Sequence, residues 1–130
     1  MTFHAAGTFD VKLTPQPRDG ENWAPARMTV DKRFHGDLEA LSQGEMLSEG
    51  TPAQGSAAYV ALERVTGKLS GRSGAFVLQH SATMTRGVPQ LSITVVPDSG
   101  TDDLVGLTGR MAINIEPGKH SYQFEYALES

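Results

Sequence analysis

Glu63 and His80 are the two residues of this chain whose types and pattern point most directly to chemistry. A carboxylate beside an imidazole orients the ring and favours its protonated form, as proton transfer or the holding of an acidic ligand requires. Their neighbours say how they meet. Segments 59–70 and 73–84 flank Gly71-Arg72, and a tight turn there pairs Val65 with Leu78, Glu63 with His80 and Ala61 with Ala82. A second turn, at Arg86-Gly87, leads into segment 88–96 and pairs Ala82 with Leu91, His80 with Ile93 and Leu78 with Val95. Strand side chains alternate between faces, so two independent turns select one apolar face as the inner one. Glu63, His80 and Ile93 are expected side by side on that face, on three neighbouring strands. As structure alone, the pair is an internal salt bridge that fixes register, because an unpaired charge is costly in a dry interior.

The elements that must position this pair are strands throughout. Segments 3–13, 28–34 and 38–48 alternate apolar and polar residues ahead of the three strands above, and 110–115 and 119–128 follow them. Residues 14–25 hold Pro15, Pro17, Pro25, Gly20 and Trp23 and read as a long loop; 97–109 is a glycine-punctuated crossing. The turn Pro117-Gly118 pairs Ile115 with His120, Ile113 with Tyr122 and Met111 with Phe124. No segment carries a convincing helical period. About eight strands in simple order predict an all-β protein, a single antiparallel up-and-down barrel over residues 1–130, since closure leaves no edge strand to protect.

A barrel of this size either fills with side chains or holds one small ligand. Ala61, Gly67, Gly74 and Ala82 point inward and leave room near Glu63 and His80. The alternative is that Phe76, Tyr122, Phe124 and Tyr126 fill that room. Tyr59, Tyr122 and Tyr126 offer hydroxyls that could orient a ligand, or apolar walls whose hydroxyls find backbone partners. Lumen candidates are therefore Glu63, His80, Tyr59, Phe76, Ile93, Tyr122, Phe124 and Tyr126. Gln43 and Glu45 join them only if Gly36-Asp37 is a two-residue turn; a three-residue turn points both outward.

Composition closes off other chemistries. With no cysteine there is no disulfide or thiolate, and the four histidines are too scattered to supply the three or four ligands of a zinc site, so no metal or cofactor is expected. A net charge of −4 with no basic stripe argues against nucleic acid; Arg27, Lys32 and Arg33, the densest positive group, read as solvated strand surface. No apolar run of about 20 residues is present to span a membrane. The first residues lack a basic region followed by an apolar run, so a soluble cytoplasmic protein is expected. The glycine runs at 71–74 and 99–101 lack the helix and lysine of a phosphate loop.

The run from Tyr59 to His80 resembles the central motif of a bacterial family of unknown function. Phe34 to Leu38, Val95 to Thr101 and Leu104 to Gly109 match it in order and spacing, and Asp102 stands where that family usually has Gly. The family is similar in fold to the allene oxide cyclase barrels, which implies eight antiparallel strands around an apolar lumen and carries no catalytic residue over. Three readings follow: a barrel binding an apolar or amphipathic small molecule, an isomerase or cyclase working in the lumen, and a filled barrel acting as an interaction module. Outward Val60, Leu62 and Val77 make a homo-oligomer the expected partner state.

Overall fold

The structure is a computed structural model that describes residues 1–17 and 23–129. Eight strands follow in chain order: β1 (Phe3–Pro15), β2 (Ala26–Gly36), β3 (Leu38–Gly50), β4 (Ala57–Leu69), β5 (Arg72–Thr85), β6 (Val88–Val95), β7 (Leu107–Glu116) and β8 (Lys119–Leu128). Each pairs antiparallel with the next, and β8 pairs with β1 to close the barrel. The expected up-and-down barrel is the observed one. The loop expected over 14–25 lies partly outside the described residues, at 18–22.

The hairpin turns set the register, and one of them corrects the sequence reading. The β4–β5 turn is Ser70-Gly71, not Gly71-Arg72, with φ of 47° and 87°. A two-residue hairpin turn with left-handed backbone at both positions favours glycine second, so Arg72 is released into the strand, opposite Leu69. This slides β5 by two residues, and Glu63 now faces Leu78 while His80 faces Ala61. An even slip keeps every side chain on its face. The Arg86-Gly87 turn already has glycine second, and His80 pairs with Ile93 as expected. β7–β8 also has the expected register, with Ile115 opposite His120. Between β2 and β3 the turn is odd-membered about Asp37, with Phe34 opposite Ala40, so Gln43 and Glu45 point outward and Ser42 points inward.

One end of the barrel is packed shut. Leu38, Leu69, Leu104 and Leu107 are buried there with Phe76, Phe124 and Tyr126. Phe76 and Phe124 stack with centroids 5.8 Å apart, and Phe124 and Tyr126 at 5.3 Å. The crossing from β6 to β7 forms the cap. Its Ser99 and Thr101 hydroxyls accept hydrogen bonds from Val77 N and Ala75 N, both 3.0 Å, and a 3-10 turn at Asp102–Leu104 drops Leu104 inside. Gly74 makes that possible, because a Cβ there would stand 2.2 Å from Thr101 O. Tyr122 locks the same end: its hydroxyl accepts from Leu38 N at 2.9 Å and lies 3.0 Å from His35 O, which it can donate to.

Candidate functional site

Four adjacent strands each contribute one inward side chain to a buried polar cluster. Lys32 comes from β2, Ser42 from β3, Glu63 from β4 and His80 from β5. Glu63 is 1% exposed and accepts from all three others. Lys32 Nζ donates to Oε1 at 2.9 Å, His80 Nε2 meets the same oxygen at 2.5 Å, and Ser42 Oγ donates to Oε2 at 2.5 Å. The Lys32 ammonium also sits 5.2 Å and 5.7 Å from the centres of the Phe9 and Phe34 rings, whose faces attract a cation. Gly44, opposite Glu63, lets β3 come close enough, since a Cβ there would lie 2.2 Å from Leu62 O.

Burial by itself pushes the Glu63 carboxyl up. The His80 hydrogen bond, the Lys32 charge and the Ser42 hydroxyl outweigh it and hold the group at about 2, against an ordinary 4.5. Glu63 is therefore a carboxylate that accepts, and His80 Nε2 carries the proton between them. The second ring nitrogen, Nδ1, has no hydrogen-bond partner among the described residues. No side-chain nitrogen or oxygen described is both sealed from solvent and unpartnered. Tyr59 is half-buried on the same inner face, and burial and then the Glu63 charge push its hydroxyl up.

The expected site residues separate into two groups. Glu63, His80 and Ile93 come together on neighbouring strands, with Glu63 reaching His80 diagonally rather than straight across. Tyr59 lies toward the other, unpacked half. Phe76, Tyr122, Phe124 and Tyr126 pack the closed half. Lys32 was expected on solvated surface and is instead buried. Its parity gives the reason, because Val30-Asp31-Lys32-Arg33-Phe34 puts Lys32 in the row of Val30 and Phe34. Ser42 likewise shares the row of Leu38 and Ala40. Among the described residues no three His, Asp or Glu side chains gather as a metal site would need.

Inner-face residues toward the Arg86-Gly87 and Pro117-Gly118 turns stay open: Leu13 is 47% exposed, Leu91 42% and Ile115 63%. A closed eight-stranded up-and-down barrel, shut at one end, with a buried carboxylate cluster and an open apolar half, defines a small single-lumen barrel protein. The family model described as "protein of unknown function (DUF3224)" matches residues 5–126, and the chain belongs to that family. It is similar to the crystal structure of a DUF3224 protein of unknown function from Shewanella oneidensis MR-1, at 50% identity, with a TM-score of 0.92, over 100% of this chain and 99% of the other. No curated protein matches. No helix among the described residues is long and apolar enough to cross a membrane.

Proposed function

We propose that the barrel binds a small apolar or amphipathic molecule in the open half of its lumen, with Lys32, Glu63 and His80 at the polar end of the site. One observation carries this reading: inward-aimed Leu13, Leu91 and Ile115 remain exposed while the opposite half is filled. Eight strands enclose space that side chains must fill or a ligand can occupy. Small Ala61 and Ala82 leave that space beside His80, whose Nδ1, unpartnered among the described residues, is a polar handle. An acid or base working near neutrality needs a pKa near 7. Glu63, held at about 2 with both oxygens engaged, favours binding over acid–base chemistry. An isomerase or cyclase of the allene oxide cyclase-like type would have to work by confinement, without Glu63 as its acid or base. A cytoplasmic setting belongs to the same proposal.

Titration with anilinonaphthalene sulfonate, an apolar dye with an anionic end, tests it. Saturable binding at one site is expected, weakened about tenfold or more by Ala82→Trp, which fills the open half. Absence of saturable binding, or binding indifferent to Ala82→Trp in a protein that melts normally, would overturn the reading.

A separate observation favours self-association. On the outer face of β3–β5, Leu47, Val60, Leu62 and Val77 line a hollow of about 850 Å³, and Leu62 is 56% exposed. Glu45 lies opposite Leu62, and Arg64 lies two residues along β4. A two-fold axis on the diagonal between them sets Glu45 of one copy against Arg64 of a second. Light scattering should report a dimer that Leu62→Asp dissociates; a wild-type monomer at high concentration would sink this reading.

A further inference from the structure

The wall of the barrel is not equally knit all the way round. Seven neighbouring pairs form ladders of six or more residue pairs, whereas β6 and β7 meet at one, Thr94 opposite Arg110. That bridge lies near the closed end, where the crossing ties the two strands together. At the open end β6 is laddered to β5 and β7 to β8, and no backbone ladder joins β6 to β7. The sequence contributes directly. Val96 N donates to Val77 O, so the even-numbered residues of this stretch turn their N–H toward β5 and the odd-numbered ones toward β7. Pro89 is odd-numbered, and its ring removes a donor on the β7 side.

The seam holds a cavity of about 650 Å³, within the ordinary range for small-molecule sites. Outward-facing Ser92, Arg110, Ala112 and Glu125 wall it, Leu91 is the exposed inward residue at its mouth, and Ile93, Met111 and Phe124 lie buried beneath as its floor. Ile93 is the cross-strand partner of His80, so the floor of the seam adjoins the polar cluster. A peptide strand does not fit: it needs about 4.8 Å on each side, and the Thr94–Arg110 bridge closes the gap to a single strand spacing. The slot tapers, as suits a flat or chain-shaped apolar body.

We propose that the β6–β7 seam is the lateral portal of the lumen, through which a flat or chain-shaped amphipathic molecule passes to the Lys32–Glu63–His80 cluster. This rests on the binding function proposed above. The chain has no cysteine, so Ser92→Cys with Ala112→Cys, flanking the seam, gives a pair that a short bis-maleimide can bridge. Stopped-flow mixing with anilinonaphthalene sulfonate then reads the association rate. Bridging should slow association about tenfold or more relative to the unbridged double variant. Pro89→Thr, which restores the donor facing β7, should slow it in the same direction without a cross-link. Unchanged rates in both would place the way in elsewhere and overturn the portal while leaving lumen binding intact. No dye binding by the unmodified protein would remove the binding function itself, and the portal with it.

Discussion

The two halves of this barrel are built from the same eight strands with the same alternation, yet only one is finished by side chains. In the closed half, Phe76, Phe124 and Tyr126 stack in a row, and the β6–β7 crossing lowers Leu104 onto them. In the open half, inward Gly44, Ala61 and Ala82 are small, and Leu13, Leu91 and Ile115 stay in contact with solvent, with Val30 buried at its inner edge. The cluster of Lys32, Ser42, Glu63 and His80 shares the inner face with both. Strand pattern therefore decides which way a residue points, and residue volume decides whether the space it points into is core or cavity. The difference also explains why a charged cluster is tolerated: each group has a partner, and the aromatic rings of Phe9 and Phe34 cover Lys32.

If the halves differ as described, truncation should separate them sharply. Phe76→Ala removes a buried ring and should cost about 3–5 kcal/mol, whereas Leu91→Ala at the open mouth should cost less than about 1 kcal/mol. Urea unfolding of both variants checks this; equal losses would mean the open half is packed after all. The cluster should behave like the closed half when broken singly. Glu63→Leu leaves Lys32 buried without its counter-charge and should also cost about 3–5 kcal/mol, much of it recovered by adding Lys32→Met. A double variant no more stable than the single one would show that Lys32 does not depend on Glu63.

Acid should act on the cluster before it acts on the apolar core. The Glu63 carboxyl is held at about 2 in the folded chain, below its ordinary 4.5. A depressed folded value adds stability at pH above the unfolded value, and that stability disappears as pH falls toward the folded one. At about 1.4 kcal/mol per pH unit the contribution is about 3 kcal/mol near neutrality, lost between roughly pH 4.5 and 2. The difference in stability between the wild type and Glu63→Gln, followed by urea unfolding across that range, should shrink as the pH drops. A constant difference would show that Glu63 does not stabilise the fold as an ion.

Much of this was legible in the chain because strand parity survives errors of register. Placing the β4–β5 turn one residue late moved β5 by two, and Glu63 and His80 still shared a face. Glycine at the second turn position, as in Ser70-Gly71 and Arg86-Gly87, is the finer signal that sets the register. Lys32 and Ser42 were harder to find because composition places Lys outside, and only their rows of apolar neighbours say otherwise. The half-open seam could not be read at all. It depends on a ladder that does not form, and Pro89 is its one local mark.

The smallest expected effect lies at the cap of the closed half. Asp102 opens the 3-10 turn with φ at 53°, the left-handed region where a side chain is strained. Asp tolerates this conformation better than most residues because its short polar side chain bonds locally, here to the Thr101 hydroxyl at 3.3 Å. Asp102→Gly removes the strain but gives the unfolded chain more freedom to lose. The two effects oppose, and the strain relief should win by a small margin, stabilising the protein by about 0.5 kcal/mol or less. A thermal midpoint raised by a degree or two would agree. A fall of more than about 1 kcal/mol would mean that Asp102 holds the cap through its side chain, and that the closed half owes part of its seal to a polar contact rather than to Leu104.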